Sequence, residues 1–334
     1  MLSRSTPRVR SVLAGCAATG ILLATAACGG STTPPASTSA AGSAGSAAAS
    51  SGAAAEESTP TSLNLNLAKV DSIAAMLPDK FKQSGTIVVA TDPTYPPNEF
   101  LPEGEQTAAG MDIDLANALG QVLGLRVTIE PADFSGILAG LNAGRYDMAM
   151  SSFTDTKERE QSVNFVTYFS AGTSTMVLAG NPKNITTTTD LCGLSVGAEN
   201  GTTQLAQLTD ATVEGSVLKA CQDAGKPAPN AQGFPKQTDV NSALLAGRID
   251  AYLADSPVVD YAVKVTGDKF QKVGGDEGTA PYGIAIPKDP AQLTPALQAA
   301  MQNLMDTGAY HKILDNWGLT GGAITTAAIN GAVY

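Results

Sequence analysis

The sequence has a single histidine, a single tryptophan, four cysteines and fewer basic than acidic side chains, 20 Lys and Arg against 31 Asp and Glu. Each shortage excludes a class of function. The one histidine, His311, is distant along the chain from the other candidate site residues, so a Ser-His-Asp arrangement is not available. No Cys/His cluster has metal-ligand spacing, and no metal site is expected. No P-loop or dinucleotide glycine pattern follows a strand, and no cofactor is expected. The acidic balance disfavours nucleic acid as a partner. Long apolar runs are missing too: the stretch around Ile21, Leu22 and Leu23 is interrupted by Thr19, Gly20 and Thr25 and stops at small residues, which argues against a permanent transmembrane helix.

What is present, 43% hydrophobic residues and 34 glycines in 334, describes a globular α/β protein with a large core, preceded by something unlike one. Residues 1–27 begin with Arg4, Arg8 and Arg10 and end in Ala26-Ala27, the pattern of an export signal. The sequence LATAAC resembles the lipobox of bacterial lipoproteins. That resemblance implies cleavage before Cys28, a diacylglycerol on its thiol, and attachment to the extracytoplasmic face of a bacterial cell membrane. Residues 28–62 are the anchor and a linker: past Cys28 they are almost entirely Ser, Thr, Ala, Gly and Pro, nothing in them offsets the entropy of ordering, and they read as a tether. With Cys16 in the signal and Cys28 at the anchor, Cys192 and Cys221 remain as a pair. In an oxidising compartment they are expected to form a disulfide, which would stabilise by roughly 3 to 4 kcal/mol in the loop-entropy picture.

Ordered patterns begin with a helical extension (63–84). A strand, TIVVAT, leads into the loop DPTYPPNEF. In DIDLANALGQVLG, Ile113, Ala116, Leu119, Val122 and Leu123 recur at helical spacing behind Asp112 or Asp114. RVTIE alternates as a strand, SGILAGLNAG reads as a helix closed by Gly144, and YDMAMSS as a nearly continuous strand. Strand and helix in alternation imply a largely parallel sheet covered on both faces. About a hundred residues later LLAGRIDAYLAD repeats the layout of LNAGRYDMAMSS through A-G-R-x-D. In register, Asp147 lies over Asp250 and Ser152 over Asp255, both at carboxyl ends of strands, where open α/β sheets bind ligands.

Seven ordered segments, TDPTYPP, GMDIDLANAL, MSSFTDTKER, GTTQ, DAYLADSP, PYGIAIPKD and GAYHKILDNWGL, resemble the extracytoplasmic solute-binding proteins of ABC importers for polar amino acids. The resemblance spans roughly residues 85–319. It implies a two-lobed periplasmic-binding-protein-like α/β fold with two crossing hinge strands: lobe 1 over 85–173 and 277–320, lobe 2 over 174–276, and 321–334 as a tail. It implies a monomer that delivers a free polar amino acid, cationic ones included, to ABC permease subunits.

The implied ligand contacts fall on Arg159, Ser152, Thr154 and Thr203 around the α-carboxylate, on Asp255 at the α-ammonium, and on Ser151 and Gln204 beside them. Tyr95 and Phe134 would flank the side chain, and Asp92 would meet its far end. A guanidinium grips a carboxylate through two parallel hydrogen bonds, as a lysine does not. Pro97-Asn98-Glu99-Phe100 departs from the relatives' PPFEF, and Thr154 replaces a usual serine; both bear on side-chain selectivity. Two alternatives stay open: a dehydratase on the same scaffold, with Asp92 or Glu99 moving a proton, and a ligand-sensing module.

Overall fold

The computed structural model describes residues 60–288 and 293–334. The expected signal peptide, the Cys28 anchor and nearly all of the tether lie outside the described residues. Among the described residues no helix is long and apolar enough to cross a membrane.

The helical extension folds as two short pieces, α1 (Asp71–Ala74) and α2 (Asp79–Ser84). Pro78 separates them, since a proline disfavours helical backbone in the residue before it. β1 (Thr86–Thr91) then leads to the small hairpin of β2 (Thr94–Tyr95) and β3 (Glu99–Phe100). α3 (Met111–Leu123) follows with all five expected apolar positions buried and Asp112 and Asp114 in its first turn, where acids favour the helix dipole. β4 (Arg126–Pro131), α4 (Phe134–Asn142) and β5 (Met148–Ala149) complete this unit. YDMAMSS therefore supplies only two strand residues. Past them the backbone leaves the sheet, and Ser152 adopts a left-handed φ of 51°.

β6 (Val163–Leu178) crosses to a second unit of the same kind. It contains β7 (Ser195–Glu199), α5 (Thr203–Thr209), α6 (Val217–Asp223), β8 (Asn230–Phe234), α7 (Gln237–Leu245), β9 (Ala251–Asp255) and α8 (Ser256–Thr266). β10 (Phe270–Pro287) returns to the first unit, which α9 (Leu293–Asp306) and α10 (Ala309–Trp317) cover. The strand order β4-β1-β5-β10-β6-β9-β7-β8 places a parallel trio at each end and the long antiparallel pair β6 and β10 between them. The β10 ladder shifts register three times between Val273 and Gly283, where the strands pass from one lobe to the other. Such bulges bend and twist a strand locally.

Each lobe buries apolar side chains on both faces of its sheet. In lobe 1 Leu115, Leu119, Leu297 and Ile313 pack on one side, and Ile137, Leu141, Phe153 and Phe165 on the other. In lobe 2 the two groups include Val196, Leu208 and Val217, and Val240, Leu244 and Val259. Cys192 and Cys221 are disulfide-bonded, tying α6 to the segment before β7. The segment expected as a plain tail turns back along β6: Thr167 N donates to Ala328 O (2.9 Å), and Phe165 N to Asn330 Oδ1 (2.8 Å).

Candidate functional site

Strand ends deliver the site. Asp92 follows β1, Ser151, Ser152 and Thr154 follow β5, and Asp255 ends β9. Thr203 and Gln204 open α5, whose N-cap Thr202 accepts a hydrogen bond from Leu205 N through its side chain. Arg159 starts a single 3-10 turn. These residues line one cavity between the lobes together with Tyr95 and Phe134, so all ten residues expected at a binding site are brought together. Three further residues line the same cavity without having been singled out as ligand contacts: Glu99, Glu199 and Thr202.

The cavity is contracted, with free space of about 10 Å³, enough for about one water. Side chains fill it by reaching across. Tyr95 Oη donates to Asp255 Oδ2 (2.9 Å) and accepts from Asp255 N (3.0 Å). Gln204 Nε2 donates to Asp255 Oδ1 (2.8 Å). Arg159 is not part of a solvated charge run: its guanidinium donates to Thr154 O in lobe 1 and Gly201 O in lobe 2, both at 2.9 Å. It also lies over the stacked rings of Phe134 and Phe153, 5.6 and 5.3 Å from their centroids. Asp255 stands at the N-cap of α8 but makes no side-chain capping bond, so its carboxylate is left to the cavity.

Asp92 divides its carboxylate between two tasks. Oδ2 accepts from Phe134 N at the start of α4 (2.8 Å), which holds that helix to the end of β1, while the residue still lines the cavity. Beneath it lies a buried polar network. Ser152 Oγ donates to Glu99 Oε2 (3.1 Å) and accepts from Asn98 Nδ2 (2.9 Å), and Ser152 N donates to Asp112 Oδ2 (2.9 Å). Three bonds thus hold Ser152 in a left-handed conformation that costs a non-glycine residue energy, a cost that persists only where the surroundings over-determine the geometry.

The wall is strongly acidic: Asp92, Glu99, Glu199 and Asp255 against the single guanidinium of Arg159. Burial raises all four carboxyls. Asp255 is pushed to about 6 by burial, with the Tyr95 hydrogen bond opposing. Glu199 is pushed to about 9, by burial first and then by the charge of Asp92. Glu99 rises well above the carboxylate range through burial and the neighbouring Asp112. The Glu199 and Asp92 carboxyls also hydrogen-bond to each other, which raises Glu199 further and opposes the rise of Asp92. A cation placed among these groups would favour their ionised forms.

Among known proteins, the sequence model of the bacterial extracellular solute-binding proteins, family 3, matches residues 87–320. The chain is 33% identical over 261 residues to the arginine-binding protein ArgT of Corynebacterium glutamicum, a match that covers 78% of this chain and 83% of the relative. It is 30% identical over 241 residues to the L-cystine-binding protein TcyJ of Escherichia coli, covering 72% and 85%. Among solved structures, an ancestral arginine-binding protein bound to arginine superposes with a TM-score of 0.61 at 33% identity, covering 70% of this chain and 98% of that one.

Proposed function

The chain belongs to the bacterial extracellular solute-binding proteins of family 3, and from that premise we propose that its two lobes close on a free cationic amino acid, arginine first among the candidates. It is a binding protein and not an enzyme, as its matched relatives are. With lobe 1 taken as residues 85–173 and 277–320 and lobe 2 as 174–276, Arg159 takes the ligand's α-carboxylate through two parallel hydrogen bonds. Thr154 and the first turn of α5 at Thr203 and Gln204 support the same carboxylate, and Asp255 takes the α-ammonium. The ligand then replaces the internal bonds that Tyr95 and Gln204 now make to Asp255. Phe134 and Tyr95 flank its aliphatic stem.

The observation that carries this reading is the make-up of the wall, four carboxyls to one guanidinium, with Glu199 held protonated by burial until a cation stands beside it. A zwitterion's own two charges are matched by Arg159 and Asp255. Of the other three carboxyls, Glu99 is already engaged by the Ser151 and Ser152 hydroxyls, which leaves Asp92, from lobe 1, and Glu199, from lobe 2, to face the far end of the side chain, where a guanidinium or ammonium satisfies them better than a neutral group. Arginine-binding relatives support the choice of arginine; the cystine-binding one marks how far ligands vary on this scaffold. The loaded protein hands its ligand to the permease of an ABC importer, tethered to the membrane through Cys28.

Thermal-shift screening of the full chain against the standard amino acids and ornithine tests the reading. A ligand at a hundred times its dissociation constant adds about 2.7 kcal/mol, an easily visible shift. Arginine, lysine or ornithine is expected to give the largest one; a shift with sugars or peptides alone would overturn the assignment.

A further inference from the structure

Arg159, Thr202 and Thr203 face two cavities: the contracted one described above and a roomier neighbour of about 650 Å³ on its outer side. The guanidinium of Arg159, bonded to Gly201 O across the cleft, stands between them. The outer cavity is lined from lobe 2 by residues of α5 and by Glu214, and also by Tyr334, which comes from far along the sequence.

Tyr334 reaches this place on a strap fastened to lobe 1 alone. Besides the bonds of Ala328 and Asn330 to β6, Gly331 N donates to Asp155 Oδ2 (2.7 Å), Ala332 N to Glu160 Oε1 (3.1 Å) and Lys157 N to Tyr334 O (2.9 Å). The last three fasten on residues flanking Arg159. The phenol is partly buried, and the charges of Asp255 and Glu214 from lobe 2 and of Arg159 from lobe 1 all act on it, with burial the main cause of its raised pKa. The strap lies beyond the residues that match the family, which end at 320.

We infer that Tyr334 is a ligand-retention residue: the strap carries it to the wall of the outer cavity on the Arg159 side of the cleft, where it narrows the way out between the lobes and slows escape of a bound amino acid. Ring surface at that point reduces the access of water to the bond between Arg159 and a carboxylate, and such bonds are stronger the less water reaches them. A group held by one lobe and facing the other is in contact with both only when the cleft is closed, so its loss acts on departure more than on encounter.

The inference rests on the proposed amino-acid site, and stopped-flow fluorescence of the full chain with L-arginine tests it. Tyr334→Ala is expected to raise the dissociation rate about tenfold while the association rate stays within about twofold. Tyr334→Phe should stay close to wild type, and Asn330→Ala, which frees the strap from Phe165 N, should fall between. A dissociation rate for Tyr334→Ala within about twofold of wild type would overturn the inference. If the wild type fails to bind arginine, the proposed ligand fails and the latch is read without it. Nitroxides at the exposed Glu105 and Asp223, one on each lobe, would then show a longer distance distribution in Tyr334→Ala than in wild type, and identical distributions would overturn the inference.

Discussion

In lobe 1, Asp147 accepts a hydrogen bond from Val88 N (2.9 Å) and returns its own amide to Val88 O; in lobe 2, Asp250 does the same with Ser195 (3.0 Å). A lysine meets each acid's other oxygen, Lys80 at 2.6 Å and Lys183 at 3.2 Å. Gly144 and Gly247 end the preceding helices with φ of 71° and 65°. The A-G-R-x-D repeat is thus a fastening of helix, strand and neighbouring strand, made twice. Four residues on from Val88 and Ser195 stand Asp92 and Glu199; five on from the two aspartates stand Ser152 and Asp255. Sites of the first kind are acidic in both lobes. Those of the second kind have diverged, to a hydroxyl in one lobe and a carboxylate in the other. A repeated frame with unlike ends suits a ligand whose two backbone charges are opposite and whose side chain meets acid from both sides.

The contacts to the ligand's two opposite backbone charges, one offered by each lobe, should dominate binding. Arg159→Ala and Asp255→Ala each leave a ligand charge enclosed without its partner, and calorimetry should show a loss of roughly 3 to 5 kcal/mol for every amino acid that binds. Equal affinities in wild type and either variant would break the division between the lobes.

Next in size is a device that only lobe 2 possesses. Replacing Cys192 and Cys221 together by Ser, or reducing the bridge across their separation of 29 residues, should cost roughly 3 to 4 kcal/mol in denaturant unfolding. Hydrogen exchange should speed up in α6 and β7 and stay unchanged in β1 and β4. Uniform loosening of both lobes would contradict their independence.

The shared fastening offers a matched pair. Asp147→Ala and Asp250→Ala each orphan a backbone amide, at a cost of roughly 1 to 3 kcal/mol by chemical denaturation. The effect should be larger at Asp147, whose side chain is 12% exposed against 26% for Asp250. The lysines contribute little beyond this, being 64% and 48% exposed. A neutral outcome at one site alone would show that the two fastenings are not equivalent.

The smallest effect is protonic. Glu199, at about 9 without ligand, is protonated at pH 7.5, and a cation beside it favours its ionised form. Arginine binding should therefore release protons, seen as a dependence of the heat on buffer, and affinity should rise between about pH 7 and 9. Asp255 acts lower: its folded value of about 6 lies above its unfolded 3.8, so its contribution to ligand-free stability is full below pH 3.8 and lost as pH rises through 6. Its preference for an α-ammonium runs the other way, so that affinity for any amino acid falls as pH drops below about 6.

Much of this was legible in the sequence because it depends on strand ends and on residues of definite charge. Asp255 stands where a strand ends and Arg159 where a short turn begins, and the five apolar positions of α3 repeat at a helical period. Glu199 was missed because it ends the strand SVGAE, where an acid reads as an ordinary boundary residue. Carrying the A-G-R-x-D register back to the first strand of each lobe would have placed it opposite Asp92. Glu99 reads from the sequence as a proton carrier or as part of the departure at Pro97–Phe100, since nothing local shows that Ser152 turns back onto it. The strap was read as a tail because its bonds join Asn330 to Phe165, 165 residues apart, and local pattern does not report such a contact.

The central claim is that this cleft reads a cationic side chain with acids from both lobes, and one titration tests it most directly. Calorimetry of the full chain with L-arginine and with L-citrulline compares two ligands of nearly the same shape that differ by the guanidinium charge. Arginine should bind more tightly by roughly 1.5 to 3 kcal/mol, the range of a hydrogen bond to a charged group, and the gap should narrow in Glu199→Gln. Citrulline binding as tightly as arginine to the wild type would contradict the claim.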